Sequence, residues 1–119
     1  MAQPFQPYIF THIGSRNGLA SDDVRGITQD KKGYIWIATM NGLQRYDGRR
    51  FITLASKPGH PYSIPNNKIY NIRSDNRDRL WLHCSANRVG YINPADLKFH
   101  EARIQFSAAL VRRNGAALF

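Results

Sequence analysis

A chain of 119 residues, 42% hydrophobic and 21% charged, suffices for one small domain, and its aromatic and branched residues exclude a disordered one. The formal charge of +9 raises a nucleic-acid reading, but the 17 Lys and Arg residues are scattered, with no run longer than two, as on solvated turns. A single cysteine, Cys84, excludes an internal disulfide, glutamate occurs only at Glu101, against a helical surface, and no stretch approaches the roughly 18 apolar residues of a membrane span.

Residues 1–16 read as a lead-in. The opening Met1-Ala2-Gln3-Pro4-Phe5 has neither the charged nor the apolar region of a signal peptide. Residues 8–13, Tyr-Ile-Phe-Thr-His-Ile, have strand composition in period two. A loop follows at Gly14-Ser15-Arg16-Asn17-Gly18, then Leu19 and a polar approach through Asp22-Asp23. Residues 24–29 are the next expected strand. A helix capped by Ser21 is rejected there, because the segment is short and holds Gly26, Val24, Ile27 and Thr28. Asp30-Lys31-Lys32-Gly33 makes a tight hairpin, with Asp30 bonding turn amides and Gly33 free to take positive φ.

Residues 34–39 read Tyr-Ile-Trp-Ile-Ala-Thr. Four consecutive apolar positions break the alternation of a half-exposed strand, so both faces are expected to be covered. Asn41-Gly42 is a hairpin signal, residues 43–47 form a third strand, Asp47-Gly48 turns again, and residues 51–54 form a fourth, outer strand. Lys57-Pro58-Gly59-His60-Pro61 is a rigid boundary loop.

The pattern then repeats at a spacing of 45 residues. Ile64 follows Leu19, Ile69 follows Val24, Ile72 follows Ile27, Asp75 follows Asp30, and Trp81 follows Trp36. Asp78 stands where Gly33 stood, a substitution that a left-handed turn tolerates. The second copy gains a residue after Cys84; Val89 then matches Leu43, Ile92 matches Tyr46, Asn93-Pro94-Ala95-Asp96 widens the last turn, and Leu97-Lys98-Phe99 matches the strand at Phe51.

These residues resemble the propeller repeat of two-component regulators. The resemblance rests on Gly18-Leu19, Val24, Ile27, Asp30, Gly33, Ile35-Trp36-Ile37-Ala38-Thr39, Asn41-Gly42-Leu43, Tyr46-Asp47 and Phe51. It covers residues 17–54 closely and 62–102 more loosely, since Asp78, His83-Cys84 and Arg88 depart from the pattern. It implies an all-β fold of β-propeller blades, here two four-stranded antiparallel blades of a larger propeller. The expected division is 1–16 lead-in with a possible closing strand, 17–58 first blade, 59–103 second blade, and 104–119 the start of a truncated third blade or a tail. A chain holding two blades of a ring that needs about four to eight is expected to be a fragment.

The resemblance further implies the periplasmic sensor region of a hybrid histidine kinase of Bacteroides-like bacteria, or of some diguanylate cyclase sensors, responding to carbohydrate fragments. The kinase machinery would lie beyond residue 119, so the chain itself is expected to be non-catalytic. The expected partners are the remaining blades, an oligosaccharide, and copies of itself through exposed blade faces. Nucleic acid is not expected, and a membrane enters only through a missing downstream segment.

Catalytic, cofactor and metal residues are expected to be none. Trp36 and Trp81 are read as blade core rather than sugar platforms, because both occupy the same repeat position. Asp30 and Asp75 are read as turn caps rather than a catalytic pair, and Gly33 and Gly42 complete the structural repeat positions. His12, His60, His83 and His100 lack metal-ligand spacing. Asp22-Asp23 and the loop at His60 are the ligand-facing candidates, on the ground that loops carry function. Two other functions compete: a propeller enzyme acting on polysaccharide, a lyase or glycosidase needing a set of residues from several blades, and a basic binding scaffold with salt-sensitive affinity.

Overall fold

The computed structural model describes residues 13–60 and 62–102. The strand-like residues 8–12 and the expected third blade at 104–119 lie outside them. A 3-10 turn at Ser15–Asn17 precedes eight strands: β1 Val24–Gln29, β2 Ile35–Thr39, β3 Gly42–Tyr46, β4 Phe51–Leu54, β5 Ile69–Ser74, β6 Leu80–Cys84, β7 Arg88–Asn93 and β8 Lys98–Glu101. They form two four-stranded antiparallel meanders, β1-β2-β3-β4 and β5-β6-β7-β8. Each meander is a propeller blade, and each adjacent pair of strands is a hairpin, as the turn chemistry requires.

Each blade has two faces set by the period of two. The leading face of the first blade carries Val24, Ile27, Ile35 and Ile37; its trailing face carries Thr28, Trp36, Ala38, Leu43 and Leu54. In the second blade the leading face carries Ile69, Ile72, Leu80, Leu82, Cys84 and Ile92. The trailing face of the first blade packs on the leading face of the second, and Ile64 from the connector closes the gap in one shared core. The apolar run in β2 is thereby explained. Trp36 and Ala38 meet the second blade, while Ile37 on the opposite face and Leu19 of the lead-in are each buried as well.

The two sheets meet along their first strands, β1 beside β5. Gly26 makes this approach possible: a β-carbon there would lie 3.0 Å from Cγ2 of Ile72. The unpaired edges of β1 and β5 therefore line the apex of the wedge, where a propeller has its axis.

One turn differs from the sequence expectation. The hairpin between β2 and β3 is not an Asn41-Gly42 turn; Thr39 pairs with Gly42, so Met40 and Asn41 form the loop. A type I′ pair would need positive φ at both loop residues, and only Gly42 has it, at 116°. Thr39 reshapes the turn, its hydroxyl accepting from the Asn41 N–H at 3.0 Å and donating to the Gly42 carbonyl at 2.8 Å. The Gly42 N–H is thereby released to the Asn67 carbonyl at 2.7 Å, tying the hairpin to the connector.

Candidate functional site

The residues singled out by the repeat form the same construction in each blade. Oδ1 of Asp30 accepts the Lys32 and Tyr34 amides, and Oδ2 accepts the Trp36 indole N–H at 2.9 Å. Oδ1 of Asp75 accepts the Arg77 and Arg79 amides, and Oδ2 accepts the Trp81 indole N–H, again at 2.9 Å. Both aspartates are thus engaged in turns, each within its own blade. Burial pushes the Asp75 pKa up, but the Trp81 indole, the Arg79 and Arg77 amides and the Arg79 guanidinium outweigh it and hold the carboxyl well below the usual range.

Gly33 takes φ 93° and Asp78, its counterpart, φ 59°. Asp78 does more than tolerate the turn: its carboxylate accepts the Lys31 amide of the first blade at 3.0 Å. Lys31 Nζ returns a bond to the Asn76 carbonyl at 3.1 Å, and Thr28 Oγ1 donates to Ser74 Oγ at 3.2 Å. These bonds form a polar clasp between the blades at the hairpin end. A further residue that sequence reasoning passed over is Gln44, buried in β3. It accepts from the Ala20 amide and donates to the Gly18 carbonyl and the Thr53 hydroxyl, fixing the lead-in loop across the leading face. In sequence it is only a polar residue between Leu43 and Arg45, with nothing to mark it as buried.

The two loop candidates share one end of the wedge. The Asp23 carbonyl accepts from Met40 and the Lys68 carbonyl from Ser85, so the lead-in, the connector holding His60, and the β2–β3 and β6–β7 turns lie together. His60 Nδ1 accepts the Tyr62 amide, and its ring meets Tyr62 edge-on at 5.8 Å. Asp22 accepts the Ser15 amide, and Asp23 holds Arg25 through both carboxylate oxygens, at 2.8 and 3.1 Å. That pair raises the pKa of the Arg25 guanidinium, with the nearby Tyr70 adding a minor share. His83, in contact with Tyr70, and His100, stacked on Tyr91, lie on the trailing side of the second blade. Cys84 is buried, and desolvation pushes its thiol to about 11, so it acts as a small apolar residue. Among the described residues, no three His, Cys, Asp or Glu side chains stand close enough to hold a metal ion.

A model described as "Two component regulator propeller" matches residues 18–41, the segment from Gly18 through the Asp30 turn and Trp36 to Asn41. Residues 18–41 are thus similar to the two-component regulator propeller repeat. The structure is similar to the extracellular domain of the putative hybrid two-component system BT3049 from B. thetaiotaomicron, at 29% identity and TM-score 0.72, over 87% of this chain and 14% of that one. It is also similar to the extracellular domain of the putative hybrid two-component system BT4673 of the same organism, at 25% identity and TM-score 0.55, over 66% of this chain and 11% of that one. A stretch of 57 residues, 48% of this chain, is 33% identical to histidine kinase P4 of Formosa agariphila and covers 4% of it. The chain therefore spans a small part of these relatives. What it shares with the solved structures is the fold of part of an extracellular domain of a hybrid two-component system. No helix among the described residues is long and apolar enough to cross a membrane.

Proposed function

We propose that these two blades belong to the ligand-sensing propeller of a two-component sensor of the hybrid histidine kinase type, placed on the periplasmic side of the inner membrane and responsive to an oligosaccharide. The observation that carries this reading is the joint likeness, in repeat and in structure, to the extracellular domains of hybrid two-component systems. Further blades of the same ring are the natural partners of the two outer faces. Ile27 on the leading face is 64% exposed although its counterpart Ile72 is buried, and the same surface would let copies of the chain associate. Sensing would consist of a ligand favouring one arrangement of blades over another, with the difference passed to domains outside these residues.

Calorimetric titration of the chain with a panel of neutral and acidic oligosaccharides, and with duplex DNA at two salt concentrations, tests the reading. Saturable binding of an oligosaccharide is the expected result. Binding to DNA alone, weakening steeply with salt, would replace the sensor by the basic scaffold. Turnover of the oligosaccharide would replace it by the propeller enzyme.

A further inference from the structure

Both inner strands are broken at the same place. Val24 pairs with Thr39 and Gly26 with Ala38, which leaves Arg25 as an extra, unpaired residue. In the second blade Ile69 pairs with Cys84 and Asn71 with His83, which leaves Tyr70. Arg25 and Tyr70 are 45 residues apart, so the bulge belongs to the repeat. A bulge forfeits ladder hydrogen bonds and redirects a side chain, and one kept in consecutive blades has a use other than pairing.

Packing engages these side chains only in part: the Tyr70 ring meets His83 and its hydroxyl reaches Ser85 Oγ at 3.5 Å, yet both bulge residues stay open to solvent. The Arg25 side chain is 45% exposed and Tyr70 is 40% exposed. An exposed ion pair such as Arg25–Asp23 contributes little to stability. Both residues lie near the starts of β1 and β5, at the end where the connectors and the loop candidates gather, and on the strand edges that face the axis. The bulge thus presents one side chain per blade at the mouth of the axis.

We infer that Arg25, Asp23 and Tyr70 form part of a binding site for a neutral oligosaccharide at this mouth. The inference rests on the sensor reading and adds the residues and the class of sugar. The Asp23 carboxylate occupies Nε and Nη2 of Arg25, so the pair carries no net charge and sets acceptors beside the remaining N–H donors. Adjacent hydroxyls of a sugar, each both donor and acceptor, match that pattern. Tyr70 supplies an aromatic face for the apolar C–H side of the ring, held edge-on by His83 at 5.7 Å. An anionic sugar meets the Asp23 carboxylate first and finds the guanidinium already engaged.

The test is titration of the full chain with tetrasaccharides of glucose, xylose and mannose, and with tetragalacturonate as the acidic probe. The expected result is binding of a neutral probe that weakens at least about 10-fold in Tyr70→Ala and in Arg25→Ala. Tyr70→Phe keeps the ring and is expected to bind within about 2-fold, and it answers the objection that Tyr70→Ala disturbs the strand. Arg49→Ala, at the opposite end of the wedge, leaves binding unchanged. Asp23→Asn frees the guanidinium and moves preference toward tetragalacturonate. A neutral probe bound equally well by wild type, Tyr70→Ala and Arg25→Ala removes this site and leaves carbohydrate sensing standing. Wild-type preference for tetragalacturonate overturns the neutral class. Failure of every probe to bind overturns the carbohydrate reading together with the site.

Discussion

The two blades are the same construction in two environments. Trp36 and Trp81 share a repeat position, a strand and an indole bond of 2.9 Å to a turn aspartate. Trp36 lies under the second blade and is fully buried, whereas Trp81, on the trailing face of the second blade, is half-buried. Their cationic neighbours are exchanged as well. In the first blade Arg45 of β3 lies over Tyr34 at 4.4 Å and over Trp36 at 6.0 Å. In the second, Tyr91 takes the place of Arg45 and Arg79 the place of Tyr34, and Arg79 lies over Trp81 at 5.4 Å and over Tyr91 at 5.2 Å. The repeat therefore specifies a cation stacked on an aromatic group beside the tryptophan and leaves open which strand supplies which. The difference teaches that the indole–aspartate bond belongs to the blade, while the burial of the indole belongs to its neighbour.

Truncating the tryptophans gives the largest expected effect. Trp36→Ala removes a fully buried side chain and is expected to cost about 3–5 kcal/mol in urea unfolding, as core Trp→Ala changes do. Trp81→Ala loses the same indole bond and somewhat less buried area, and a smaller cost is expected. Equal costs would show that the tryptophan acts mainly through its aspartate, and that the packing of one blade on the next contributes little.

This contrast also marks what sequence can show. The eight strands and their hairpins were legible because each blade alternates strand composition with Asp, Gly or Asn turns, and because the pattern occurs twice. The identical spacing from Asp30 to Trp36 and from Asp75 to Trp81 carried the architecture. What was not legible depends on partners far along the chain. Gln44 reads as an ordinary polar residue until Gly18, Ala20 and Thr53 surround it. The Asn41-Gly42 signal named the right hairpin but the wrong loop residues, because the Thr39 hydroxyl and the Asn67 carbonyl decide the turn. The bulges at Arg25 and Tyr70 leave no composition signal, since an extra residue in a strand is visible only against the register of its partner. The ligand-facing candidates were named from the general habit of loops, and that habit says nothing about which atoms meet a sugar.

Exchanging the turn residues sharpens the comparison at smaller cost. Gly33 sits at φ 93°, where an added side chain is strained, so Gly33→Asp is expected to cost about 1–2 kcal/mol. Asp78→Gly releases the Lys31 amide but relieves a left-handed aspartate, two exposed effects of about 1 kcal/mol each that oppose one another. A net change near zero is expected in the same unfolding assay. A large loss in Asp78→Gly would show that the polar clasp, rather than the apolar core, holds the blades together.

The last comparison is a pH dependence carried by the Asp75 turn of the second blade. The folded-state pKa of Asp75 lies below its ordinary value of 3.8, because the Trp81 indole, two amides and Arg79 favour the charged form against the penalty of burial. A depressed carboxyl stabilises the folded state fully at pH values above the unfolded pKa. That contribution fades as pH falls below it toward the folded pKa. Urea midpoints of the wild type are therefore expected to be insensitive to Asp75 titration from pH 7 to about 5 and to fall below pH 4. In Asp75→Asn the charge is gone at every pH. The variant starts less stable at pH 7, and its deficit narrows as the wild-type carboxyl becomes protonated. A deficit that stays constant down to pH 2 would mean that Asp75 acts by shape and neutral hydrogen bonding, and that its turn does not depend on the carboxylate charge.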